Sequence, residues 1–202
     1  MEAEARVGSI SVAEGTINPL RAGTEGGLVL DAHGKYYEAV KAGRVFVACN
    51  QAAVAVTAAM ATTYTGLVVE NPATSGKDLV LLRFGYSATI AMPTAATVIG
   101  LMTGLDAGDA AAAITPRNRY VGGAASVAIV DNGATLTGTP VLEQVFGQVG
   151  TGATTVPLVG QVNEIDLDGS LIIPPGYYVA VYSFAANTAA FIFSLMWEEV
   201  PV

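Results

Sequence analysis

At 202 residues the chain suits one domain, or one domain with an extension, and is long enough to bury a proper core. Charged residues make up only 13% of it and apolar ones 52%, and the wealth of Gly and small β-forming side chains favours an all-β protein over a helical bundle. Nine basic residues against seventeen acidic ones leave a net charge of −8, which argues against a direct nucleic-acid binder, while a surface sparse in charge and rich in apolar groups points to burial against partners.

Residues 1–27 are polar, Gly-rich and weakly periodic, and read as an extended N-terminal arm ending in RAGTEGG. The acidic start, MEAEARVGSISVAEG, lacks the basic region and apolar core of a secretory signal, so synthesis in a cytoplasm is expected. Residues 28–202 form the predicted domain, an antiparallel β-sandwich. It opens with LVLDAHGKYYEAVKAGRVFVAC, read as strand, turn, strand, turn, strand, with turns at Asp31–Gly34 and Lys41–Gly43. A short helix over Tyr36–Lys41 competes there, because Tyr36 and Val40 would share a helical face. TGLVVENP, the turn NPATSGKD, LVLLRFGYSATIAM, ATVIGLM, GGAASVAIV, TPVLEQVF, TTVPLVG and NEIDLDG follow as further short strands and a turn. LDAGDAAAA, with Asp106 as a possible N-cap, is the best helix signal. Strand-sized runs recur at the spacing of about 8–12 residues expected of a sandwich or barrel, and no long repeat suggests a solenoid.

The closing tract, Leu171 to Trp197, contains no charged side chain. A membrane helix needs about 20 predominantly apolar residues without strong breakers, and Pro174-Pro175-Gly176 and Ala185–Thr188 interrupt this one. The other uncharged stretches, 45–69 and 84–105, are broken by polar residues, Gly or Pro, so no membrane role is expected. Three strands fit the closing tract instead: Leu171–Ile173, Tyr177–Phe184 and Ala190–Glu199. In the last, Phe191, Phe193, Leu195 and Trp197 fall on one face, and Ile192, Ser194, Met196 and Glu198 on the other. With both faces largely apolar, one is expected in the core and the other against a second subunit. Tyr177 and Tyr178 join the four odd-numbered residues as packing or oligomer candidates.

Residues capable of chemistry are few. His33 is the only histidine and sits in a turn sequence, DAHGK, where a polar turn side chain is the expected role. Cys49 is the only cysteine, which excludes an intrachain disulfide and a cysteine-based metal cage. ENPATSGKD carries a Gly-Lys pair, but Asn71 and Asp78 stand where a phosphate loop needs Gly and Ser or Thr, and a hairpin turn is expected. Glu164, Asp166 and Asp168 alternate as in a calcium loop, yet its distal Glu would fall at Pro175, so a half-buried strand with outward acids is the better fit. The tyrosine pairs 36–37 and 177–178 suit either packing or a sugar platform, with packing favoured. No catalytic residue, metal site or cofactor is therefore expected, and no small-molecule ligand.

DAHGKYYEAVKAGRVFVA, ENPATSGKDLVLLR and DGSLIIPPGYYVAVYSFAANTAAFIFSLMWEEVP together resemble virion proteins encoded in tailed-phage structural gene clusters. The resemblance runs from about Gly27 to the C-terminus and rests on turn and strand signatures. Such proteins resemble jelly-roll capsid decoration (cement) proteins. The resemblance thus implies a jelly-roll-like sandwich, a homotrimer, a place in the virion and the major capsid protein as partner. It implies no enzymatic activity. A tail or head fibre module binding host-surface glycans is the alternative, and a cellular binding module of TNF-like or lectin-like shape is the third possibility.

Overall fold

A computed structural model describes residues 34–56, 63–88, 97–105, 113–136, 139–149, 163–184 and 187–202. The chain divides into two compact units, residues 1–37 and 38–202. The expected N-terminal arm, His33, the LDAGDAAAA helix apart from Leu105 and Ala113, and the TTVPLVG strand lie outside the described residues.

One short helix, α1 (Tyr37–Lys41), precedes the first strand, so the helical alternative prevails over a strand at this point. Glu38 in its first turn and Lys41 in its last suit the helix dipole. The Lys-Ala-Gly sequence that reads as a turn is its C-cap. The amides of Gly43 and Arg44 donate to the carbonyls of Val40 and Ala39 at 2.9 and 3.0 Å, and Gly43 takes φ 73°, completing a Schellman motif.

Twelve strands follow among the described residues: β1 (Val45–Cys49), β2 (Val54–Val56), β3 (Thr63–Asn71), β4 (Lys77–Ala88), β5 (Thr97–Leu105), β6 (Arg117–Asn118), β7 (Ile129–Thr135), β8 (Val141–Val149), β9 (Asn163–Asp166), β10 (Ile172–Ile173), β11 (Tyr177–Ser183) and β12 (Asn187–Pro201). A seven-stranded sheet has the order β10-β4-β12-β1-β6, with β2 also on β12 and β9 also on β4. A five-stranded sheet has the order β7-β3-β11-β5-β8. Setting aside β2, β6 and β7, and taking β9 with β10 as one broken strand, eight strands remain. They lie first-eighth-third-sixth in one sheet and second-seventh-fourth-fifth in the other. That is the connectivity of a jelly roll, in which two Greek keys pack sheet on sheet. The protein is an all-β antiparallel sandwich.

Apolar alternation positions the core. Along β12, Phe191, Phe193, Leu195 and Trp197 are fully buried, while Ile192, Ser194, Met196 and Glu198 stay partly open. Phe193 stacks on Phe191 and on Phe84 of β4, with ring centroids 5.5 and 6.2 Å apart, and Phe84 also meets Phe146 of β8 at 5.1 Å. Burying each such side chain contributes about 1.5–3 kcal/mol. The strands buried on both faces are β11, from Tyr178 to Ser183, and β3, from Gly66 to Asn71.

Three boundaries differ from the sequence expectation. The turn placed at Ala185–Thr188 gives way at Asn187 and Thr188, which already belong to β12, with Asn187 opposite Val56. The strand expected at Gly122–Val130 begins only at Ile129 and continues through Asp131-Asn132-Gly133, a sequence that reads as a turn. Ser126 and Val127 bond to the Glu199 carboxylate instead of a strand ladder, which delays its start. Finally, NPATSGKD is not a hairpin, because β3 and β4 belong to different sheets. The buried Asn71 amide clamps this corner, donating to the carbonyls of Lys77 and Ile173 at 2.7 and 2.8 Å.

Candidate interaction surface

The residues with potential chemistry take structural roles. Cys49 is half-buried on β1, and burial pushes its thiol up, with the nearby charge of Arg119 as a smaller opposing effect. That disfavours the thiolate a nucleophile needs. Glu164 and Asp166 do not converge on a cation site. Both reach Arg83 across the β4–β9 ladder, at 2.9 and 2.7 Å, with Ile165 half-buried between them, as expected of an outward acidic strand. Asp168 and Gly169 then form a turn with φ of 49° and 78°. Among the described residues, no group of three or more His, Cys, Asp or Glu is placed to hold a metal ion, and no helix is long and apolar enough to cross a membrane.

The tyrosine pair at 177–178 cannot present two exposed rings. Neighbours on a strand point to opposite faces, and only Tyr177 is open, at 41% exposure, while Tyr178 is fully buried. The Tyr178 ring lies over Gly104, where a Cβ would come within 2.4 Å of its hydroxyl oxygen. The four apolar residues of β12 pack inside the single chain, with Phe46 stacked on Trp197 at 6.3 Å. Of the six packing candidates, five therefore lie in the interior and one, Tyr177, at the surface.

The opposite face of β12 belongs to an open outer face of the seven-stranded sheet. Strand register places Val47, Met196, Arg83 and Asp166 in one row across it, and Cys49, Ser194, Gly85 and Glu164 in the next. Val45, Glu198, Val80 and Ile172 form a third row, whose β1 end is closed, Val45 being fully buried. Ile192 and Ile172 are 39% and 49% exposed. Apolar and small side chains thus run across the middle of this face. Carboxylates gather at its β9 edge.

At the other edge, β6 lies in the loop TPRNRYVGGAAS, whose Gly122–Ser126 part reads as a strand and whose Thr115–Val121 part carries no sequence expectation. Its signal was two of nine basic residues within three positions of an acidic chain. Asn118 organises it: Nδ2 donates to the carbonyls of Gly43 and Ala124 at 2.8 and 3.0 Å, and Oδ1 accepts from the Tyr120 amide at 2.9 Å. The Arg119 amide donates to the Val45 carbonyl at 2.8 Å. At the far end, Ser126 Oγ and the Val127 amide donate to Glu199 Oε1 at 2.5 and 2.9 Å, and Lys77 Nζ donates to Oε2 at 2.7 Å. Pinned at both ends, the loop holds Arg117, Arg119, Tyr120 and Val121 in solvent, the last two at 48% and 94% exposure. No family model, curated protein or solved structure matches this chain. Its surface must therefore be interpreted on its own chemistry.

Proposed function

We propose that the chain is a structural protein of a tailed-phage virion, made in the host cytoplasm, and that it serves as a trimeric capsid decoration (cement) protein. What supports this most is the outer face of the seven-stranded sheet, where ordered, half-exposed apolar side chains lie between edges of opposite charge. Exposed apolar area gains about 25 cal/mol per Å² when buried, and a stable interface takes about 1,200–2,000 Å² in total. A protein working this way acts mechanically. It ties neighbouring capsid subunits together through non-covalent burial and polar contacts, and none of its side chains need react. The virus itself enters through the resemblance of the three quoted stretches to virion proteins.

A fibre module that binds host glycans is the second reading, favoured by Tyr120 standing exposed beside the shallow groove formed by Pro116, Arg117, Asn118 and Val121 to Ala125. Cosedimentation with empty phage shells separates the two. The decoration role predicts saturable binding at one trimer per lattice axis, and shells so treated should resist heating better. Glycan binding without shell binding would overturn the decoration role in favour of the fibre module.

A further inference from the structure

The two edges of the seven-stranded sheet are chemically unlike. On the β6 side, Arg117 and Arg119 are exposed, and among the described residues neither forms an ion pair. Beside them stand exposed Tyr120 and Val121. On the β9–β10 side, exposed Glu164 and Asp166 share one guanidinium, Arg83, so this edge is net negative, and exposed Ile172 lies next to it. Each edge therefore offers charge of one sign together with an apolar contact, and the two signs are opposite. The three edge strands, β6, β9 and β10, are also short, which leaves little backbone to pair and puts recognition on the side chains.

We propose that the β6 edge of one copy docks against the β9–β10 edge of the next, head to tail, so that a second copy of this chain is the occupant of both edges. The pairing rests on the trimeric assembly proposed above and names its interface. A contact between two different patches is heterologous, and such contacts close into rings when the rotation allows. Isologous pairing of like edges would bring Arg117 and Arg119 against their own copies, at a cost of like-charge repulsion. Head-to-tail pairing instead supplies the two guanidiniums with carboxylates. Tyr120 and Val121 meet Ile172 in the same contact.

Three variants of the full chain test this by light scattering after size exclusion: Arg117→Glu with Arg119→Glu, Glu164→Lys with Asp166→Lys, and all four changes in one chain. Each reversed edge alone should raise the dissociation concentration at least about tenfold, with the thermal melt retained. The fourfold change should restore assembly, because every contact again joins opposite charges. A salt titration of the unaltered chain needs no variant, and the assembly should loosen as ionic strength screens the edges. Assembly insensitive to both reversals and to salt would overturn the edge pairing while leaving oligomerisation intact. A fourfold variant that folds but stays dissociated would overturn it too. A monomeric unaltered chain would sink the assembly itself.

Discussion

Replacing Trp197 with Ala should destabilise the folded chain by about 3–5 kcal/mol, a large share of the roughly 5–15 kcal/mol that holds a typical domain together. Trp197 is fully buried on β12, pairs in register with Phe46 of β1, and stacks on its ring. Its removal leaves a cavity between two strands at the middle of the seven-stranded sheet, where the backbone ladders resist collapse. Trp197→Phe separates packing from polarity. The indole Nε1 is buried with no hydrogen-bond partner among the described residues, so a phenyl ring keeps much of the stacking and removes an unsatisfied donor. Thermal and denaturant melts should therefore rank the variants with Ala far below Phe. Equal losses for both would mean that the indole shape, not apolar burial, is what the site requires.

Glu199→Ala should cost about 2–4 kcal/mol, and should do so locally. This carboxylate is buried on β12 and gathers three donors: Ser126 Oγ, the Val127 amide and Lys77 Nζ. Without it, Lys77 turns to water, since its side chain is already 35% exposed, but the Ser126 and Val127 donors lose their acceptor. The loop preceding β7 loses one of its two anchors, Asn118 being the other. Its backbone should open more often, and trypsin should cut after Arg117 and Arg119 faster than in the unaltered chain. Glu199→Gln keeps an acceptor for both donors and should fall between. Unchanged proteolysis in the Ala variant would show that Asn118 alone fixes the loop.

The strand positions were largely legible in the sequence because apolar alternation at a period of two depends on local chemistry. Phe191, Phe193, Leu195 and Trp197 announce one face of β12 whatever the rest of the fold does. Pairing across sheets was not legible in that way. NPATSGKD reads as a hairpin, and the corner between sheets depends on partners far off, such as Ile173, about a hundred residues from the Asn71 that clamps it. Asp131-Asn132-Gly133 carries turn chemistry but stays extended, since β3 supplies partners along both halves of β7. The helix at Tyr37–Lys41 was decided by its cap at Gly43, a signal as consistent with a turn. The Arg117–Val121 loop was hidden for a different reason. Its form depends on Asn118 and Glu199, whose partners lie in α1's cap, in β4 and in the loop itself, so no short window of sequence contains them.

The resemblance to virion proteins implies a location and a partner, which the proposed function carries and alternation alone does not supply. The structure brings one face of the closing tract, Phe191, Phe193, Leu195 and Trp197, into the interior and leaves Ile192, Met196 and Ile172, with Val47, on the outer face of the sheet. Light scattering on the purified chain at micromolar concentration tests the proposed assembly most directly. Assembly predicts a single species of three chain masses, each chain being 20.5 kDa. A stable monomer at one chain mass would contradict it.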